Sequence, residues 1–466
     1  MGARFLFVLS LVLSAAAAPT VQAVRTMTFA EARPVLAALG DSVPAALRDR
    51  TSGDADATWS AWVKQRDAEI RGRIAAGDED SVVNLMLYGT SFTRWPRATP
   101  DAIAASPAAA TLDGVMAGRV ADLVTAIESP GGDERLQFAR QVVERHGVAV
   151  GPQSREAARR YLVELRSRVL SENERYVRRL ATAPMASESQ RQAQHATVYR
   201  DRGLSSDTSL RIDFALDQAL AALRERGELT QRAVQRVAVV GPGLDFVDKA
   251  QGYDLYAIQT IQPFAVADSL LRLGVAERPA VAALDISPRV VAHLEGAQQR
   301  ARRGEPYRLN LVLERDGPGL RLDPTLVEYW RRAGSHTGEE IATEIPVEQA
   351  VQLRARAVAV RPNIVLDMTA THLNIVFERL DTGAALDLVV ATNVLVYYEP
   401  CEQALAVSNM ASMLRAGGLL LTNQPVPVPA SAGLSPVLIV AVGFGQVETQ
   451  TGPHERGDSI YVYRKA

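Results

Sequence analysis

Residues 236–245 read RVAVVGPGLD, an apolar run that passes directly into two glycines. A short run of this kind, bounded by turn residues, is typical of a strand buried in a parallel sheet. Gly241 and Gly243 let the backbone turn tightly and approach a ligand. The third glycine of a dinucleotide fingerprint would fall at Phe246, which makes NAD and FAD a minority interpretation. The stretch therefore predicts a sheet strand that ends at a ligand.

The same alternation of apolar strands and amphipathic helices extends from about residue 207 to the end of the chain. Strands are predicted at 236–240, 281–284, 307–313, 386–392, 419–422, 446–451 and 459–463, and helices at 208–226, 262–273, 289–302 and 401–414. Residues 317–356 are irregular apart from a helical middle, so we interpret them as an insertion. The predicted fold class is α/β, a doubly wound, mostly parallel sheet closed by a final antiparallel pair.

The first half of the chain has a different pattern. Helical periodicity predicts helices at 57–74, 112–127, 133–145 and 155–180, preceded by a helix whose start is marked by the capping box of Thr28 and Glu31. No period repeats through these helices, so a solenoid is not supported. We expect an all-α domain at 24–206 and an α/β domain at 207–466.

The amino terminus has the pattern of a targeting segment. Arg4 precedes an apolar run at 5–18, and Val21-Gln22-Ala23 is a small-residue cleavage site. The run is too short to span a bilayer, which takes about 20 residues, so no transmembrane anchor is expected beyond this segment. The prediction is a signal peptide at 1–23 and an exported protein, and the alternative is a cytoplasmic protein with a misassigned start codon.

Composition narrows the classes of partner. Lys+Arg (51) and Asp+Glu (53) nearly cancel, so no net field attracts nucleic acid, and none is indicated as a partner. Cys401 is the single cysteine, and none of the six histidines lies four residues from another. We therefore expect no disulfide and no metal site. The sequence does not indicate an oligomeric state.

A second ligand feature follows the next predicted strand. Residues 281–284 are apolar and lead into Asp285, where a carboxylate can accept hydrogen bonds from both ribose hydroxyls of an adenosine. Ile286 comes next in the same turn. The alternative is that Asp285 only caps the helix that begins near Pro288.

The segment at residues 386–421 carries a family resemblance. It reads LDLVVATNVLVYY, then a helix, then LRAGGLLL from Leu414. It resembles the fourth and fifth strands of class I S-adenosylmethionine-dependent methyltransferases, and its closest likeness is to the chemotaxis-receptor methyltransferases. The resemblance covers about residues 236–466 and is most specific in its last third. It implies a Rossmann-like methyltransferase domain with S-adenosyl-L-methionine as cofactor.

The resemblance also implies roles for residues. Gly241, Pro242 and Gly243 would lie under the methionine part of the cofactor, Asp285 and Ile286 at the ribose, and Asn393 beside the sulfonium and the substrate. Asn374 is the candidate for the adenine contact, with Asp367 as its rival. Two departures from the family are Val239, where an acidic residue is expected, and Asp245, in place of the third glycine. Asp245 could contact the cofactor amino group instead.

The interval between the glycine turn and Asp285 is about twice the roughly 20 residues of a compact unit, which leaves 246–261 as an inserted loop. It would either cover the site as a lid or pack permanently on the helices. The lid hypothesis places Gly252 at the hinge.

The sequence therefore predicts a methyltransferase acting on an unidentified acceptor, with a small molecule favoured and no catalytic residue assigned. Tyr397 and Tyr398 either shape the acceptor pocket or belong to the core. The alternatives are an aminopropyltransferase of the spermidine synthase type, which would need an aspartate where this chain has Asn393, and a non-catalytic scaffold with the same fold.

Overall fold

The computed structural model describes residues 23–40, 43–48, 54–99, 112–181, 203–204, 210–247, 253–317, 319–346, 353–383, 385–449 and 452–466. The helices are α1 (Phe29–Leu39), α2 (Ala45–Arg48), α3 (Ala55–Tyr88), α4 (Leu112–Glu128), α5 (Glu134–Arg145), α6 (Arg155–Ala181), α7 (Leu210–Glu225), α8 (Gln262–Arg272), α9 (Pro288–Arg302), α10 (Pro324–Arg332), α11 (Pro362–Leu366) and α12 (Pro400–Met413). The strands are β1 (Val24–Thr26), β2 (Arg236–Val240), β3 (Ala280–Asp285), β4 (Tyr307–Glu314), β5 (Leu320–Leu322), β6 (Gly338–Ile341), β7 (Leu353–Val360), β8 (Met368–His372), β9 (Glu378–Leu380), β10 (Leu386–Ala391), β11 (Leu414–Thr422), β12 (Leu434–Thr449) and β13 (Gly452–Lys465). The predicted signal peptide lies outside the described residues, except for its last residue.

An eight-stranded sheet forms the centre of the molecule, in the order β5-β12-β13-β11-β10-β2-β3-β8. The strands β8, β3, β2, β10 and β11 are parallel, and β13 pairs antiparallel with both β11 and β12. From β2 the chain runs outward to β3 and β8, and it then returns to β10 on the other side. The prediction of a doubly wound, mostly parallel sheet closed by an antiparallel pair is confirmed.

Both faces of the sheet are buried. Alternate residues of each strand point to opposite faces, so neighbouring residues pack in different clusters. Val237 and Val239 pack in a cluster with α7 and α8. Ala238 and Val240 pack in a second cluster with α12 and with parts of α1 and α3. Val239 therefore faces the core beneath the sheet, which accounts for an apolar residue where the family has an acidic one.

The amino-terminal helices pack directly on the α/β part. Trp59, Trp62 and Ile70 of α3 share a hydrophobic cluster with α12 and the sheet. A third cluster joins α3, α4, α5 and α6 to Phe246 and to Val290 of α9. The region is helical apart from β1, which pairs with β9, and α3 extends further than the predicted 57–74. The hydrophobic clusters are thus continuous across the predicted boundary at residue 206.

The chain crosses α3 closely at one glycine. An added Cβ at Gly77 would lie 1.9 Å from the carbonyl oxygen of Leu204, and the Leu204 N–H donates to the carbonyl of Arg73 at 2.9 Å. Only glycine allows this approach. The crossing fixes Leu204 above the carboxyl edge of the sheet.

Two sequence expectations about the insertion are wrong. The predicted strand at 307–313 is β4, but it pairs with β7 in a separate three-stranded sheet, β4-β7-β6, and not in the central sheet. The stretch 317–356 contains β5, α10, β6 and the start of β7 and is therefore largely regular. Periodicity identifies a strand but carries no information on its partner, because pairing is decided by contacts distant in sequence.

The closing hairpin is much longer than predicted. Strands β12 and β13 extend well beyond 446–451 and 459–463 because the antiparallel ladder continues past the sheet. Tyr461 pairs with Thr422, the last residue of β11, so residues 440–449 and 452–460 project beyond the carboxyl edge of the sheet. We call this part the arm. Its outer strand is paired with β5. Among the described residues, no helix has the length and apolarity needed to cross a membrane.

Candidate functional site

A cavity lies at the carboxyl ends of β2, β3 and β10, where the winding of the sheet reverses. In doubly wound sheets this crevice is the usual place for a ligand. It is lined by Ile74, Leu204, Ile212, Val240, Gly241, Gly243, Gln262, Leu284, Asp285, Ile286, Ser287, Leu373, Ile375, Thr392, Asn393, Val394, Tyr397 and Tyr398. Five of the predicted cofactor-binding residues are among them, namely Gly241, Gly243, Asp285, Ile286 and Asn393.

The glycine turn forms one side of the cavity. Gly241 and Gly243 have φ values of +65° and +67°, which side chains other than glycine rarely adopt. A Cβ at Gly241 would also lie 2.3 Å from Cγ2 of Val394. Pro242 is buried between the two glycines and is not among the lining residues. The backbone itself is therefore the surface offered to a ligand.

Asp285 lies beside the glycine turn in the same wall of the cavity. Its carboxylate accepts the N–H of Ser287 at 2.7 Å and that of Gly243 at 3.4 Å, so it links β3 to the glycine turn. Burial raises the pKa of the Asp285 carboxyl to about 6, although these backbone donors act in the opposite direction. A buried carboxyl with an elevated pKa in a cavity is a common mark of a functional site. Asp285 thus makes the turn contact that the capping alternative foresaw, and it also faces the cavity.

Asn393 follows β10 with a φ of +58°, in the left-handed region. Its N–H donates to Oδ1 of Asn423 at 2.8 Å, and Nδ2 of Asn423 donates to Oδ1 of Asn393 at 2.8 Å. Nδ2 of Asn423 also lies 3.2 Å from the carboxylate of Asp458 on the arm. The pair of asparagines holds a strained residue at the edge of the sheet, and such residues cluster at functional sites.

Asn374 and Asp245 are placed differently from the sequence expectation. Asn374 is fully buried, its Nδ2 donates to Asp67 at 2.8 Å, and it does not line the cavity. Its neighbours Leu373 and Ile375 do. Asp367, the rival candidate, precedes β8 and pairs with Arg278 at 2.5 Å, at the end of the sheet opposite the cavity.

The carboxylate of Asp245 accepts hydrogen bonds from the Tyr256 hydroxyl at 2.7 Å and from Nε2 of Gln259 at 3.0 Å. It is buried and is not a lining residue. The inserted loop therefore supplies the partners of the acid that replaces the third glycine. That interaction explains the second departure from the family pattern.

The described parts of the inserted loop, 246–247 and 253–261, are docked on their surroundings. Asp254 accepts the N–H of Thr90 at 2.6 Å and that of Ser91 at 3.0 Å. The side chains of Phe246, Tyr253 and Tyr256 are buried. Gly252, the hinge of the lid hypothesis, lies outside the described residues. These contacts favour the permanently packed loop over the lid.

Several lining residues were not anticipated. Ile74, Leu204 and Ile212 come from α3, from the crossing at residues 203–204 and from the start of α7. Their periodicity shows only that they face an apolar environment. Gln262, at the start of α8, is buried and donates from Nε2 to the Thr392 hydroxyl at 2.9 Å, while its Oε1 has no partner within the described structure. A buried amide oxygen without a partner is costly and points to a missing donor.

The two tyrosines after β10, which were expected either to shape the pocket or to belong to the core, do both. Tyr398 is buried in the cluster around α12, and Tyr397 packs against the same cluster. Both also line the cavity. They form an apolar wall between the core and the ligand space.

No protein-family model and no curated protein sequence matches the chain. Among solved structures, magnesium protoporphyrin IX methyltransferase from Synechocystis, with bound S-adenosylmethionine, is 14% identical, with 62% of this chain and 90% of that chain covered and a TM-score of 0.25. A 1,6-didemethyltoxoflavin-N1-methyltransferase from Burkholderia thailandensis is 12% identical, with 61% and 92% covered and a TM-score of 0.24. A TehB-like methyltransferase from Corynebacterium glutamicum is 12% identical, with 55% and 98% covered and a TM-score of 0.22.

The strand order of the chain itself carries the fold assignment. A doubly wound parallel sheet with an antiparallel strand, β13, between β11 and β12 agrees with the resemblance in residues 386–421. The chain has the Rossmann-like fold of the class I S-adenosylmethionine-dependent methyltransferases.

Proposed function

We propose that the protein binds S-adenosyl-L-methionine in the cavity and transfers its methyl group to an acceptor. One contact carries the proposal. The Asp285 carboxylate accepts the Gly243 N–H at 3.4 Å, which brings the acid and the glycine turn together on one wall of the cavity. A carboxylate at the end of the second parallel strand is suited to two vicinal ribose hydroxyls. The N–H groups of the glycine turn are already engaged, that of Gly241 with the Leu284 carbonyl at 2.7 Å and that of Gly243 with Asp285, so the turn contributes close backbone approach to a ligand.

The lining residues fit this molecule in three respects. The positive φ values of Gly241 and Gly243, and the contact of Gly241 with Val394, exclude side chains from the turn, so its bare backbone faces the cavity. The unpartnered Oε1 of Gln262 is an acceptor for a hydroxyl or an ammonium group. Ile286, Leu373 and Ile375 are apolar residues beside Asp285, as a flat purine would require. A neutral amide at Asn393, in place of an aspartate, favours methyl transfer over aminopropyl transfer.

The cofactor supplies an electrophilic methyl group on a sulfonium. The residues of this chain bind, orient and exclude water. Asp285 fixes the ribose, the turn at Gly241 and Gly243 fixes the amino-acid part, and Tyr397 and Tyr398 shield the reacting end from solvent. Alignment in a dry site provides most of the rate enhancement that such a transfer needs.

Calorimetric titration with S-adenosylhomocysteine tests the binding. Wild type should bind one equivalent, and Asp285→Ala should bind more weakly by about 1.5–3 kcal/mol, the cost of removing a charged hydrogen-bonding partner. Asp367→Ala is the matched control, because this acid lies at the opposite end of the sheet. Unchanged affinity of Asp285→Ala would contradict the assignment.

Two further titrations separate the alternatives. An aminopropyltransferase should prefer decarboxylated S-adenosylmethionine over S-adenosylmethionine, and a methyltransferase should show the reverse preference. A scaffold without cofactor should give no heat with either compound. A small molecule remains the favoured acceptor because the formal net charge of the chain is only −2, so no strong net field attracts a charged polymer.

A further inference from the structure

A groove opens beside the cavity and shares two residues with it. Ile212 and Asn393 line both spaces. Arg211, next to Ile212, also lines the groove and forms an ion pair with Glu314. The other side of the groove is the arm, with Phe444, Val447 and residues 454–458. A molecule in the groove would therefore meet the cavity at Asn393, where the reacting end of the cofactor is proposed to lie.

The inner face of the arm changes from apolar to polar along β13. Alternate residues of a strand share a face. Val462, and Ile460 at the base of the arm, are buried in the hydrophobic cluster that contains α7 and α8. Asp458, Arg456 and His454 continue the same face outward. The register has no bulge on this strand between them, so the three polar side chains stay on the side that faces the groove.

Asp458 is the innermost of the three and is coupled to the cavity. Its Oδ2 accepts Nδ2 of Asn423 at 3.2 Å, and Asn423 is bonded to Asn393 in both directions at 2.8 Å. Its Oδ1 accepts the N–H of Ser459 at 2.8 Å. Burial raises the pKa of the Asp458 carboxyl. The carboxylate is thus oriented by two donors and retains lone pairs toward the groove.

Arg456 lies one strand repeat further out, about 7 Å along the strand from Asp458. It is exposed and forms no ion pair with a residue in the part of the chain that the structure describes. The apolar side of the groove is Phe444, which packs on Phe214 of α7 with ring centroids 6.3 Å apart, together with Ile212 and Val447. A proton acceptor, an apolar wall and an unpaired cation therefore follow each other outward from the cavity.

We propose that this groove binds the methyl acceptor and that the acceptor is an aromatic hydroxy acid. Its hydroxyl contacts Asp458, its ring lies against Phe444 and its carboxylate pairs with Arg456. The proposal rests on the proposed cofactor. The oxygen–carbon bond of the methyl ether forms as the sulfur–carbon bond of the sulfonium breaks. The hydroxyl proton passes to the Asp458 carboxylate and then to solvent, and the thioether leaves neutral.

The test uses the full chain with 4-hydroxybenzoate as the probe. Calorimetry first establishes S-adenosylhomocysteine binding, and the probe is then titrated into the saturated protein. Wild type should bind 4-hydroxybenzoate at least tenfold more tightly than Arg456→Gln, whereas phenol, which lacks the carboxylate, should bind both proteins equally. Arg33→Gln, which removes the same charge from α1 on the other face of the sheet, should bind the probe like wild type.

A second variant addresses the proton acceptor. Asp458→Asn should bind the probe within about threefold of wild type and should form the methyl ether at least a hundredfold more slowly, in the range expected for loss of a general base. If S-adenosylhomocysteine does not bind, the proposed function itself fails. If it binds while 4-hydroxybenzoate does not bind, or binds wild type and Arg456→Gln equally, the groove proposal alone is overturned. Methylation at the wild-type rate by Asp458→Asn would remove the role of that carboxylate.

Discussion

Replacing Asp285 with asparagine should stabilise the fold and weaken ligand binding at the same time. The pKa of this carboxyl rises from 3.8 to about 6 on folding because it is buried. A difference of about two pKa units corresponds to about 3 kcal/mol of unfavourable free energy for folding with the group ionised. Asparagine removes this penalty. It also loses the acceptor for the Gly243 N–H, which costs about 1 kcal/mol. The expected net gain is about 2 kcal/mol in the free energy of unfolding.

The pH dependence follows from the direction of the shift. An aspartate whose pKa is raised by folding holds its proton more tightly in the folded state, so the penalty is complete above about pH 6 and disappears below about pH 4. Urea unfolding followed by tryptophan fluorescence should therefore show the gain of Asp285→Asn at pH 8. At pH 4 the variant should be no more stable than wild type.

Ligand binding should favour the ionised Asp285 carboxylate, whereas folding alone favours the neutral form. A carboxylate can accept both ribose hydroxyls, whereas an amide offers one acceptor, so S-adenosylhomocysteine should bind Asp285→Asn more weakly at pH 8. Asp367→Asn serves as the control and should show neither effect. Equal stability of wild type and Asp285→Asn at pH 8, or a gain of the same size at pH 4, would refute the assignment of a costly buried charge at this position.

Three further outcomes are expected. Gly77→Ala should lower the unfolding free energy by more than 2 kcal/mol and weaken S-adenosylhomocysteine binding, since its Cβ would lie 1.9 Å from the Leu204 carbonyl oxygen. The control is Gly72→Ala, in open space on the same helix, which should be neutral or stabilising by urea unfolding. Asp254→Ala should cost about 2–4 kcal/mol by leaving buried donors unpaired, and hydrogen exchange of residues 253–261 should be the same with and without S-adenosylhomocysteine. Export, which we propose from the amino-terminal pattern, predicts a mature chain beginning near Val24, and intact mass of native protein retaining Met1 would contradict it.

The sequence was sufficient to predict β2, β3, β10 and β11 because each is a local signal, whereas the edge strand β8, which has a mixed polar sequence, was not among the predicted strands. The run at 236–240 and the run before Asn393 are apolar on both faces. Such runs are typical of strands in a parallel sheet that is buried on both sides. The insertion at 317–356 was not predictable in the same way. Its strands β6 and β7 contain charged and small residues, and what makes them strands is their pairing with β4. Pairing across that distance leaves no periodic trace in a single sequence.

The residues of the candidate site also fall into a predictable group and an unpredictable group. Residues that bind through their position on the backbone, such as Gly241, Gly243 and Asp285, follow from strand ends, because the carboxyl ends of parallel strands meet at one edge.

Residues that depend on which way a side chain turns do not follow in this way. Asn374 is one residue from Leu373 and from Ile375, yet only those two reach the cavity, since Asp67 of α3 holds the amide elsewhere. From the sequence, the polar residue Asn374 after β8 was predicted to contact the ligand. The structure uses that polar residue to attach the helical region and leaves apolar neighbours at the cavity, which suits a purine face better than a hydrogen-bonding edge. Discrimination of adenine from other bases would then come from shape and stacking.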